Sequence, residues 1–176
     1  MSIRQRGIAL MVIQLLLVAS IAGKYLYERA TQPRAWARAA QYDPNLPIRG
    51  RYLALSPEVN ACSLPAPAFN PQMILQPRQW RVRTLARRGL LVVEDARNVL
   101  PRGNTQTIWL NEQTPCDRAP LTPGVNFFIP DTAQSPFPLK PGQELWVEMT
   151  VPPEGPPRAI QLALRDHGAW KPLKFE

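Results

Sequence analysis

Nucleophilic or acid–base chemistry in this chain would have to run through very few side chains. His167 is the sole histidine, so any Ser-His-Asp or Cys-His mechanism must use it. It stands in "RDHGAW", a turn between strand-like runs, and reads as a solvated loop residue. No serine lies in a Gly-x-Ser-x-Gly elbow, and neither Cys62 nor Cys116 belongs to a Cys-x-x-Cys pair. Metal binding needs His, Cys or carboxylates converging at ligand spacing. Glu94 and Asp95 are neighbours that point to opposite faces of a strand, and Glu144 and Glu148 are four apart on another, so all four read as solvated. No Gly-rich phosphate loop is present. The sequence therefore predicts no catalytic residue, no metal and no cofactor, and leans away from an enzyme.

Two other sets of residues carry more information. In "QWRVRTLAR", period-two alternation puts Trp80, Val82, Thr84 and Ala86 on one face and Arg81, Arg83 and Arg87 on the other. That basic stripe reads as a solvated face protected by charge, with contact to lipid phosphates or an acidic partner as the functional alternative. Cys62 and Cys116 are the only cysteines, and both border Pro-rich stretches. In an oxidising compartment such a pair predicts one disulfide; the alternative is two unrelated buried thiols.

The elements that must position these residues divide at Pro33. The chain has 21 prolines among 176 residues, none before position 33, so its start is free to be one helix while the rest is broken by turns. From Ile8 to Gly23 every residue but Gln14 and Ser20 is apolar or small, and Arg4 and Arg6 precede them. Continued to Tyr27, the stretch spans a hydrocarbon core of about 30 Å, with Lys24 able to snorkel and Tyr25 and Tyr27 suited to the interface. An uncleaved anchor is the preferred reading. A signal peptide cleaved after Ser20-Ile21-Ala22 is the alternative. Lys24, Arg29, Arg34 and Arg38 balance the N-terminal charges, so orientation rests on the short N-terminal tail, which favours a cytoplasmic N-terminus and an exported domain.

The formal charge is +8, of which residues beyond 29 carry +5. An exported, moderately basic domain without a recognised module does not suit nucleic acid; anionic lipid head groups are nearer. The predicted organisation is a tail and anchor over 1–29, a juxtamembrane segment over 30–41 that could end as a strand near Trp36, and a β-domain over 42–176. Strand-like runs fall at 50–56, 79–86, 90–96, 106–112, 125–130, 144–151, 158–166 and 170–175, separated by Pro, Gly, Asn and Asp. Arg88-Gly89 and "PPEGPPR" are the clearest turns. The segments 63–77 and 113–124 read as long surface loops. The fold class is mainly β: one antiparallel sandwich or partly open barrel after a transmembrane helix, with tryptophans filling its core.

The stretch "YDPNLPIRGRYLALSP" reads as a β-corner. Asp43-Pro44-Asn45 forms a turn, Pro47 keeps Leu46 extended, Gly50 permits a bulge or close approach, and Tyr52 buries its ring and needs a partner for its hydroxyl. "GRYLALSP" resembles the signature of the bacterial GDYXXLXY family through Gly50, Tyr52 and Leu55, with Arg51 in place of the Asp and Pro57 in place of the last Tyr. "VNFFIPD" and "LKPGQELWVEMTV" follow in that family's usual order. The resemblance implies a membrane-anchored protein without an assigned reaction, found with polytopic membrane proteins. Together these readings predict a single-pass inner-membrane protein whose periplasmic domain is an interaction or accessory module for such a partner. The alternatives are an enzyme or carrier acting on an envelope component and a secreted domain after signal cleavage. Oligomeric state is not legible.

Overall fold

The structure, a computed structural model, describes residues 2–41, 52–64, 78–98, 104–110, 114–130 and 132–175. It divides into two units, residues 1–32 and 33–176. The first is α1, Ile3–Thr31. Its start is set by a capping box in which Ser2 accepts from the Gln5 backbone N–H while Gln5 accepts from that of Ser2. Pro33, which cannot extend a helix, follows its C-cap Gln32. At about 1.5 Å per residue, α1 is long enough, and from Ile8 onward apolar enough, to cross a membrane. Its large apolar side chains from Ile8 to Leu26 are exposed rather than packed in a core.

The second unit is mainly β. Its strands are β1 Arg34–Gln41, β2 Tyr52–Val59, β3 Arg78–Arg87, β4 Leu90–Asp95, β5 Thr105–Leu110, β6 Ala119–Thr122, β7 Val125–Phe128, β8 Gln143–Thr150, β9 Arg158–Asp166 and β10 Ala169–Pro172. Neighbours run β1-β4-β3-β5-β6-β2, and β2 pairs back onto β1, closing a six-stranded barrel. All these pairings are antiparallel except β1 with β4. Closure satisfies the strand edges that an open sheet would leave to solvent. β8, β9 and β10 extend the sheet outward from β1, and β7 extends it from β2.

Alternation fills the barrel. Ala35, Ala37 and Ala39 on β1, Leu53, Leu55 and Val59 on β2, Trp80 and Val82 on β3, Leu91 and Val93 on β4, Ile108 on β5 and Leu121 on β6 are buried together. Small alanines on β1 make room for the branched and aromatic residues opposite. Thr84 and Asn104 form a buried polar clip: the Thr84 hydroxyl donates to the Asn104 carbonyl at 3.2 Å and the Asn104 amide donates to the Thr84 carbonyl. Two-residue hairpins join β3 to β4 through Arg88-Gly89 and β9 to β10 through His167-Gly168. All four residues have positive φ, the geometry that matches strand twist.

The sequence reading differs from this fold in three places. Residues 34–41 form β1 of the barrel, so the unit boundary falls after Gln32 and not at 41. The segment 113–124 is not a surface loop throughout: it holds the 3-10 turn Cys116–Arg118 and β6, whose Ala119 and Leu121 lie in the core. Pro120 and Pro123 disguise that strand. The tryptophans, apart from Trp80, do not fill the core: Trp36 and Trp146 are only part-buried, while Trp109 and Trp170 are exposed.

Candidate functional site

The alternation that buries one side of each strand assembles an outer face from the other. On β1, Trp36 and Arg38 point away from the core; on β8, Glu144, Trp146 and Glu148 do the same; on β2, Glu58 does. Register brings them into rows. One row runs Trp146, Arg38, Glu58 across β8, β1 and β2, and the next runs Trp170, Arg165, Glu144 across β10, β9 and β8.

Trp170 lies edge-on to Trp36 with ring centroids 5.2 Å apart, and tilted at 5.2 Å from Trp146. Three inter-strand steps separate β10 from β1, about 14 Å in a flat sheet, so the strands coil and the indoles lean together over β8 and β9. Glu144 braces this cluster. It accepts hydrogen bonds from the Arg38 guanidinium and, at 3.1 Å, from the Trp146 indole N–H, with Arg165 Nη1 3.9 Å away. The Arg165 guanidinium lies 5.9 Å from the Trp146 ring centroid, in cation–π range. The indoles and guanidiniums thus hold one another in place before any ligand arrives.

Beside this wall opens a cleft of about 320 Å³, lined by Trp36, Arg38, Glu58, Arg118, Trp146 and Arg165 among others. Its far side is the 3-10 turn, which a disulfide between Cys116 and Cys62, just after β2, fixes at a Cα–Cα distance of 4.9 Å. The Ala61 N–H donates to the Cys116 carbonyl at 2.8 Å and doubles that tether. Burial raises the Glu58 carboxyl above the ordinary carboxylate range, and Arg38 and Arg118 offset only part of the effect. Burial also lowers the Arg38 guanidinium, and repulsion from Arg118 adds to that. An arginine has enough margin to stay charged. Among the described residues, the side chains of Glu58 and Arg118 have no hydrogen bond or ion pair.

The residues singled out in the sequence distribute as follows. Gly50 lies outside the described residues. Tyr52 begins β2 part-buried, its ring tilted against Phe128 at 6.3 Å, and its hydroxyl makes no hydrogen bond among the described residues. The corner expected over residues 42–51 lies outside the described residues; within them the Tyr52 ring leans on the exposed Phe128. Leu55 is fully buried in the barrel. Arg81, Arg83 and Arg87 share the outward face of β3 as the alternation requires, but Arg87 pairs with Glu94, and Arg83 lies opposite Glu94 in register. Arg81 lines a second cleft with Gln79, Arg97 and Thr107, where Arg97 is committed to Asp95. His167 is an exposed hairpin residue whose ring crowds Gly142: a Cβ there would lie 2.7 Å from it. No group of three or more metal-ligating side chains occurs among the described residues.

Sequence reasoning missed Trp36, Arg38, Glu58, Arg118, Trp146, Arg165 and Trp170 as a group. The signal was available in part: "WAR" and "ELWVE" each place a tryptophan and a charged residue on one strand face, opposite an apolar one. Only the pairing of β8, β1 and β2 joins those faces. No family model, curated protein or solved structure matches this chain.

Proposed function

We propose that this chain is a single-pass accessory protein of the bacterial inner membrane, with a cytoplasmic N-terminus and a periplasmic barrel that docks an envelope component or a polytopic membrane partner through its tryptophan and arginine face. The observation that carries the reading is the combination of an apolar helix long enough to span a bilayer with a barrel stapled by a disulfide, the chemistry of an oxidising compartment. The preorganised face supports the docking role. Half-exposed aromatic and guanidinium groups, fixed by neighbours, are the residue types that dominate interface energetics. The likeness of "GRYLALSP" to the GDYXXLXY signature is consistent with this placement.

The test is in two parts. A reporter active only outside the cytoplasm, fused after Glu176, should be active, and the protein should stay with membranes through a carbonate wash. Crosslinking from position 36 or 146, followed by purification in mild detergent, should then trap a specific membrane component. Release as a soluble protein with a new start at Gly23 would replace the anchor with a cleaved signal.

A further inference from the structure

The cleft beside Glu144 combines three properties seldom found together by accident. Its charges are of both signs: Arg38, Arg118 and Arg165 line it together with Glu58 and Asp117, and Glu144, behind the lining, accepts from Arg38 and lies 3.9 Å from Arg165. Its wall is built of indoles braced by Trp170. Its far side offers an acceptor-capable carboxyl in Glu58 and a donor in Arg118, neither bonded through its side chain to another described residue.

We propose that this cleft binds a neutral pyranose saccharide, one sugar ring lying on the Trp36–Trp146 wall with its hydroxyls shared between Glu58 and Arg118. The proposal rests on the docking role given above and names the ligand class for it. The opposed arginines disfavour an anion, since phosphate and carboxylate sites gather unopposed arginines, whereas Arg38 is taken by Glu144 and Arg165 lies beside it. The three arginines against two carboxylates in the lining disfavour a cation. A sugar needs both signs at once, because each hydroxyl donates and accepts. Here Glu58 supplies the acceptor and Arg118 the donor. The pyranose C–H face suits an aromatic surface that is apolar and rigid.

Peptide capture by strand addition is disfavoured. Among the described residues, Trp36 of β1 is paired to β8 and β4 and Arg38 to β8 and β2, so the β1 backbone at the cleft is paired on both sides. Its volume of about 320 Å³ lies at the small end of ligand cavities, about 300–1,000 Å³, room for one or two rings.

The experiment titrates the full chain in detergent with a β-1,4-linked tetrasaccharide of N-acetylglucosamine, with inorganic phosphate and with a proline-rich peptide, following tryptophan fluorescence and calorimetric heat. The expected result is saccharide binding at millimolar or lower concentration, weakened about tenfold or more in Trp146→Ala and in Arg118→Ala. Trp109→Ala, an exposed tryptophan on β5, should leave it unchanged. Retained melting temperature in Arg118→Ala keeps the result interpretable if Trp146→Ala fails to fold. No saccharide heat in the wild type, equal binding in Arg118→Ala, or preference for phosphate or the peptide would overturn the proposal. Continued crosslinking of a membrane partner from position 146 in a protein that ignores saccharides would sink the ligand class alone and leave the docking role standing.

Discussion

The Glu144 carboxylate on β8 and the Arg38 guanidinium on β1 meet diagonally across the seam where the sheet extension leaves the barrel. Neither is alone: Glu144 also takes the Trp146 indole N–H, and Arg38 stands opposite Glu58 in register. A single carboxylate therefore orders an aromatic wall and leaves the neighbouring carboxyl of Glu58 free for other work. Because the pair is part-buried, its geometry is better defined than its energy is large.

Glu144→Gln should accordingly loosen the wall more than it unfolds the domain. The expected loss is about 1 kcal/mol, in the range of a charge-assisted hydrogen bond that is partly solvated. Tryptophan emission should shift to the red as Trp146 exchanges a charged acceptor for a neutral, weaker one. A double-mutant cycle with Arg38→Gln should give a coupling of about 0.5 kcal/mol or more, and additive losses would show that the contact carries no energy.

The disulfide gives the next expectation. It closes a 55-residue loop, since the cysteines are 54 positions apart, for which chain entropy alone gives about 4 kcal/mol as an upper value. Cys62→Ser with Cys116→Ser should lower the melting temperature and release the Asp117-Arg118 turn from the cleft. In the oxidised wild type both thiols should resist alkylation until reduced; full labelling without reductant would contradict the bond.

Glu58 supplies a pH dependence. Its folded pKa is raised, first by burial, so the folded state favours the protonated form. Its contribution to stability is complete below the ordinary carboxylate pKa, about 4.3, and is lost as pH rises through the raised value. Glu58→Gln cannot ionise. Its melting temperature should match the wild type well below the ordinary carboxylate pKa and exceed it by a margin that grows as pH rises above that value and levels off once the raised folded value is passed. An opposite trend would mean that Arg38 and Arg118 outweigh burial.

Much of this architecture is legible in residue order, for reasons that differ by element. The proline-free apolar run marks α1 because a helix needs only local bonds. Strands such as 158–166 and the Arg88-Gly89 hairpin are legible because alternation and turn chemistry are local too. β6 was hidden because Pro120 and Pro123 mask a pattern only two core residues long, Ala119 and Leu121. Barrel closure depends on Arg38 finding Glu58 across a gap in sequence, which no local pattern encodes. The candidate cleft shares that dependence, since its residues come from six elements. The tryptophans misled for a simpler reason: ring size suggests a core, whereas strand phase puts Trp36, Trp146 and Trp170 outside it.

The motif residues and the basic stripe allow a last, contrasting set of expectations. Leu55 is fully buried among barrel side chains, so Leu55→Ala should cost about 2–5 kcal/mol through lost transfer energy and a residual cavity. Tyr52→Phe keeps the ring on Phe128 and removes a hydroxyl without a partner among the described residues, so it should cost no more than about 0.5 kcal/mol. Arg81→Ser and Arg83→Ser should be as mild, being outward-facing. Arg87→Ser should add only the loss of an exposed pair with Glu94, about 0.2–1 kcal/mol and screened by salt. Denaturant midpoints for the five variants, read beside vesicle flotation with anionic lipid, separate packing from surface contact. If Tyr52→Phe unfolds the domain, its hydroxyl serves the corner after all. If the arginine variants lose flotation while keeping their midpoints, the stripe on β3 is a lipid contact in its own right.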